Sequence, residues 1–203
     1  MLACVLPPHG WPHRRLLHSA YAGPRRPGCV GLPIADNEDR ATCAACGGKC
    51  CKTLPGAYLP DQLGEAELAE RLASGELVLA WWDGDPRPER TCFDVDCDGS
   101  CSRCTAEDRL HRAYYVRPRN EASPAGVFDP SHRGACRLLG SAGCTLPFAK
   151  RPAGCQNLLV NREAPGDCHD YAVPTRSFKH YAALAWVPHQ ETLLRLAARL
   201  RPA

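Results

Sequence analysis

Cys43-Ala-Ala-Cys46-Gly-Gly-Lys-Cys50-Cys51 places four thiols within nine residues. A C-x2-C step lets two sulfurs reach one ion from a single turn, and Gly47-Gly48 allow the backbone angles that bring a second pair round. Cys50 and Cys51 are adjacent, so their side chains diverge unless the backbone bends sharply. A closed four-sulfur cage built from these residues alone is therefore not expected. At least one sulfur should join ligands from elsewhere in the chain.

Composition limits what surrounds this stretch. The chain has 203 residues, enough for one domain or a domain with a tail, but only four Phe and one Met against 19 Pro, 17 Gly and 14 Cys. Those counts point to a loop-rich fold held by cross-links or metals rather than by a large apolar core. The net charge is +3 with acids and bases interleaved, so there is no basic footprint for nucleic acid. No apolar run approaches the roughly 20 residues needed to cross a bilayer. Residues 1–20 hold Pro7, Pro8, His9, Pro12, His13, Arg14 and Arg15 and lack the apolar core of a secretory signal. The cysteines therefore read as metal ligands of a cytoplasmic protein rather than secreted disulfides.

Residues 1–35 carry six prolines, three histidines and four arginines before the first acid, Asp36. Residues 1–40 read as a disordered extension or an Arg-rich leader, with Cys4 and Cys29 outside the metal set. Residues 41–203 read as the Cys-rich domain. Asp61 is expected to cap a helix over 62–73, with Leu63, Leu68 and Leu72 on one face and Ser74-Gly75 as the stop. Leu77–Trp82 reads as a strand, pairing with a second over 113–119. The Trp81-Trp82 pair reads as core packing rather than a substrate platform. Arg117 and Arg119 read as solvated ion-pairing residues, with anion binding as the alternative. Residues 175–187 and 189–200 read as two closing helices, the second docking through Leu193, Leu194, Leu196 and Leu200.

A second cluster, Cys92-x4-Cys97-x3-Cys101-x2-Cys104, is interleaved with Asp94, Asp96 and Asp98. The C-x3-C-x2-C spacing is that of radical S-adenosylmethionine enzymes, which look like partial barrels. Too little chain follows here for such a barrel, and Arg103 replaces the usual aromatic. The alternating aspartates lack the twelfth-position Glu of a calcium loop. A local four-thiolate zinc or iron site is the better reading, and these cysteines form a candidate second metal site.

Further on come Cys136-Arg-Leu-Leu, Gly143-Cys144-Thr-Leu and Arg151-Pro-Ala-Gly-Cys155. Together with the opening stretch, this order resembles the CxxCxxxCC family, the YkgJ-type zinc- or iron-chelating domain. The matched positions are Cys43, Cys46, Cys50, Cys51, Cys136, Cys144, Arg151, Pro152 and Cys155, with Cys168 as a further member, over residues 41–170. The resemblance implies a metal-binding domain. A related flagellin lysine methylase carries this motif and an iron–sulfur cluster, so iron is a candidate beside zinc. The 92–104 cluster lies outside the family pattern.

The residues read the same way on their own. Gly140 and Gly143 bound a loop that can close Cys136 and Cys144 onto one ion, and Arg151 and Lys150 can offset thiolate charge. Cys168-His169-Asp170 reads as a ligand region rather than a catalytic pair, because adjacent side chains point apart. The expected fold is α+β, small and loop-rich, mostly helical with a short two-stranded element, stapled by Cys-ligated metal. The expected function is zinc or iron binding through Cys43, Cys46, Cys50, Cys51, Cys136, Cys144, Cys155 and Cys168. The alternative is an iron–sulfur protein in electron transfer or in a redox or methylase-related reaction. The metal ion is the expected partner; neither membrane nor nucleic acid is.

Overall fold

The computed structural model of the chain describes residues 40–53, 56–92, 94–156, 158 and 175–200. The expected N-terminal extension, Cys168 and the Cys168-His169-Asp170 run lie outside them. The fold is mixed α+β. Its centre is an antiparallel pair, β1 (Leu77–Asp83) and β2 (Arg112–Pro118), in register from Leu77 opposite Pro118 to Asp83 opposite Arg112. Leu77, Val78, Leu79 and Ala80 are all buried, so both faces of β1 are covered, which is why its sequence runs apolar instead of alternating.

Two short helices carry the opening thiols: α1 (Arg40–Ala45) holds Cys43, with Cys46 just after it, and α2 (Lys49–Thr53) holds Cys50 and Cys51. The next, α3 (Glu65–Ala73), packs Leu68 and Leu72 against β1. The expected cap at Asp61 is corrected. Asp61 lies in a 3-10 turn over Pro60–Gln62, and the helix begins after Gly64, with Glu65 and Glu67 favouring its N-terminal dipole. Gln62 holds that turn: its Oε1 accepts from the Leu59 and Ala153 amides at 3.0 and 2.8 Å, and its Nε2 donates to Arg151 O.

A second, minimal hairpin joins β3 (Leu139–Gly140) to β4 (Gly143–Cys144), followed by a short helix α4 (Ala153–Gln156). Two closing helices follow, α5 (Thr175–Trp186) and α6 (Gln190–Arg199), broken at the Val187–His189 turn by Pro188. Helix α5 packs on both strands and α6 on β2. Leu193 and Leu196 are buried, but Leu194 is 43% exposed, because adjacent positions on a helix cannot share one narrow face.

Both edges of the sheet are paired. Leu79 exchanges backbone hydrogen bonds with Val127 and Asp129 on the β1 side. On the β2 side the Tyr58 amide donates to Val116 O, and the Gln190 side chain clasps both backbone groups of Tyr114, at 2.9 and 2.8 Å. Trp82 packs against the core and meets His180 edge-on at 5.1 Å, and Trp81 donates to Asp83 at 3.0 Å.

The solvated reading of Arg117 is overturned. Arg117 is fully buried and paired at 2.9 Å with Asp129, also fully buried. Asp129 lies in a loop far from β2 in sequence, so no local pattern announces the pair. Arg119 is half-buried and its guanidinium donates to the carbonyls of Gly75, Pro124 and Gly126, stitching those turns together.

Candidate metal centre

Residues 84–111 connect β1 to β2 and form a knob beyond the end of the sheet. A two-strand connection of that length, whose one helical element among the described residues is the 3-10 turn Pro88–Arg90, needs something more to order it. Its base is pinched by Asp85, whose buried carboxylate accepts from the amides of Arg87 and Leu110 and from the Arg87 guanidinium at 2.7 Å. Burial pushes that carboxyl up, but the hydrogen bonds from Arg87 and Leu110 overcome it and hold it at about 2. Asp108 closes the pinch by pairing with Arg87 and Arg90 at 3.0 and 2.8 Å.

Above this base, the sulfurs of Cys92, Cys97, Cys101 and Cys104 all lie within 4.8 Å of one another. Cys92 and Cys101 are 3.8 Å apart, and Cys97 and Cys104 are 3.9 Å apart. Four sulfurs around one tetrahedral ion, with metal–sulfur bonds of about 2.3 Å, have edges of about 3.8 Å. Two of the separations match that edge, and all four sulfurs lie close enough to bind one metal ion. The interleaved aspartates do a different job: Asp94 accepts from the Asp96 amide at 3.1 Å and Asp98 from the Ser100 amide at 2.9 Å, shaping the turns between thiols. Gly99, at φ +90°, makes the sharpest of these turns, and its amide donates to Cys97 Sγ at 3.4 Å. Arg103 and Arg109 donate to the carbonyls of Thr91 and Cys104, closing the loop on itself. Hydrogen bonds from the Cys104 backbone and thiol bring Cys101 down to about 6, and donation to Cys101 pushes Cys104 up to about 12.

The opening stretch builds a different arrangement. Gly47 and Gly48, at φ +60° and +70°, turn the chain between α1 and α2 so that Cys43 and Cys46 face Cys50 and Cys51. The Cys136 amide donates to Cys51 O at 2.7 Å, and the β3–β4 hairpin sets Cys144 opposite Leu139. The Arg151-Pro152 step leads into α4, where Gly154 lets its backbone cross that of Gly56 and Ala57 closely enough to bring Cys155 inward. Cys43, Cys46, Cys50, Cys51, Cys144 and Cys155 line one cavity of about 50 Å³. Behind it lies a void of about 20 Å³, where Cys136 meets Cys50, Cys51, Cys144 and Cys155.

Seven of the eight expected ligands therefore line two adjoining spaces, and the eighth, Cys168, lies outside the described residues. These thiols are more widely spaced than the knob's. Among the described residues, only the knob has three or more ligand atoms all within 4.8 Å. Arg151 is buried on the cavity wall, with its guanidinium 5.5 Å from the Phe148 ring centre, whereas Lys150 is exposed and does not line the cavity. Burial pushes Cys136 up to about 11 and raises Cys155 as well. A hydrogen bond from Cys51 draws Cys50 down to about 7 and leaves Cys51 raised. Burial thus disfavours the thiolate at Cys136 and Cys155 until a cation is there to balance it.

Among the described residues, no cysteine stands in a disulfide. No described helix is long and apolar enough to cross a membrane. No family model matches the chain, and searches of curated proteins and of solved structures returned no match.

Proposed function

We propose that this protein binds metal through two cysteine centres of different kinds. The observation that carries the reading is the knob, where four thiols stand at the separations of a single tetrahedral ion. Cys92, Cys97, Cys101 and Cys104 would hold zinc or a single iron with no position left open. That makes the knob a structural centre rather than a catalytic one. Cys43, Cys46, Cys50, Cys51, Cys136, Cys144 and Cys155, with Cys168, form the second centre. Its support is the shared cavity together with the resemblance to the CxxCxxxCC family. Cysteines outside any disulfide among the described residues suit a reducing, cytoplasmic setting.

A second reading concerns the cavity alone. Its thiols outnumber those that one ion uses, and among the described residues no three of them stand within 4.8 Å of one another, which favours an iron–sulfur cluster there over one zinc. Such a cluster would supply one-electron chemistry and place the protein in electron transfer or a redox or methylase-related reaction. The test is anaerobic purification of the full chain followed by metal and acid-labile sulfide analysis. Colourless protein with zinc alone removes the cluster reading. Brown protein with iron and sulfide supports it. Protein whose cysteines are paired in disulfides removes both centres.

A further inference from the structure

Arg117 has the largest of the fully buried side chains, and burying a cation is costly unless it is used. Its Nη1 donates to Pro118 O and to Asn120 Oδ1, and its Nη2 to the backbone and carboxylate of Asp129, at 2.7 and 2.9 Å. Its Nε, also buried, has no hydrogen-bond partner. Asp129 is meanwhile saturated, since Ser123 and both the amide and hydroxyl of Ser131 donate to it as well.

This network sits directly behind the thiol cavity. Asn120 forms an isolated antiparallel bridge with Cys136 and donates to Gly134 O. The flanking bonds, Glu121 amide to Ala135 O and Arg137 amide to Arg119 O, run residues 119–121 alongside 135–137. Cys136 then donates its own amide to Cys51 O. Pro118, which accepts from Arg117, shares the inner void with Cys50, Cys51, Cys136 and Cys155. One side chain is thus connected, through Asn120 and Pro118, to both halves of the cavity.

We infer that Arg117 is a positioning residue for the cavity: a buried permanent cation that holds Cys136 against Cys51 and offsets the negative charge of a metal–thiolate centre there. The inference rests on the cavity being a metal centre as proposed above. Lysine could supply the charge but not the fork that reaches Pro118, Asn120 and Asp129 at once.

The experiment is titration of the full chain with cobalt(II), read by sulfur-to-cobalt absorption, with Cys144→Ser identifying the cavity equivalents. Arg117→Met should weaken cobalt binding in the cavity about tenfold, the equivalent of one unit of thiolate stabilisation, and leave the knob's binding unchanged. Arg117→Lys should recover part of that loss, because it keeps the charge but not the fork. Asp129→Asn gives an opposite sign: it removes the counter-charge, so cobalt binding should tighten, whereas a purely structural network would make it weaken. Lysine as poor as methionine, or weaker binding in Asp129→Asn, overturns the charge role while leaving the metal centre standing. A wild-type chain that takes up cobalt only at the knob removes the second centre itself, and this inference with it.

Discussion

Cys97→Ser takes away one corner of the knob's tetrahedron, and the structure says how far the damage should travel. No described residue between 91 and 109 belongs to the buried core cluster, which is built from α3, β1, β2, α5, α6, the 57–63 segment, Val127 and Ala153. The pinch at Asp85, Arg87 and Leu110 lies outside the thiols and does not depend on an ion. What the ion holds is a loop of roughly 13 residues from Cys92 to Cys104, and cross-linking a loop of that size is worth about 3 kcal/mol in chain entropy. Losing it should raise local opening about 100-fold. Native-state amide exchange is the assay. Amides of residues 94–105 should lose about two decades of protection, while those of Leu77–Ala80 and Ala113–Pro118 keep theirs. Unchanged exchange in the knob would refute metal ordering. Equal loss in the strands would refute the separation of knob from core.

Other substitutions probe the remaining links. Gly48→Ala would place a methyl at φ +70° against Leu139, so it should cost about 1–2 kcal/mol or more and lower metal content at the cavity only, read by metal analysis beside a denaturant melt. Cys46→Ser should lower cavity metal and the melting temperature together; no change in either would exclude Cys46 as a ligand. Burial holds His132 down to about 3, with Arg117 and Lys179 repelling its proton and Asp129 attracting it. The unfolded chain takes up that proton near pH 6.5 and the folded one does not, so stability contributed by neutral His132 should drain as pH falls from about 6.5 toward 3. His132→Asn, which tolerates the φ of +50°, should flatten that part of the urea-stability profile; superimposable profiles would count against it. Leu193→Ala, at a fully buried site, should destabilise by about 3 kcal/mol without changing metal stoichiometry.

The sequence was most readable where local pattern and burial agree. The run Leu77–Trp82 and its partner over 113–119 pair as expected, because a short apolar run bounded by turn residues has few other ways to be buried. The closing helices were legible from their apolar spacing, though the orientation of Leu194 was not. The start of α3 was misread because Asp61 is a good cap in isolation, while Gly64 and the Gln62 contacts to Leu59 and Ala153 decide the boundary. Arg117 was misread for a related reason. A charged residue near a strand end is usually solvated, and its burial depends on Asp129, Ser123 and Ser131, which reach it only through the fold. The cysteines themselves were plain to see. What spacing could not supply was the contrast between four thiols at single-ion distance and seven spread round a cavity, since that depends on how turns such as Gly47-Gly48 and Gly99 aim the sulfurs.

Native mass spectrometry of the anaerobically purified full chain, run beside Cys97→Ser, tests the metal centre in the knob directly. The wild-type chain should carry one metal ion more than the variant, and Cys92, Cys97, Cys101 and Cys104 should resist alkylation until a chelator is added. Equal metal content in the two proteins, with these four thiols alkylated freely at the outset, would contradict it.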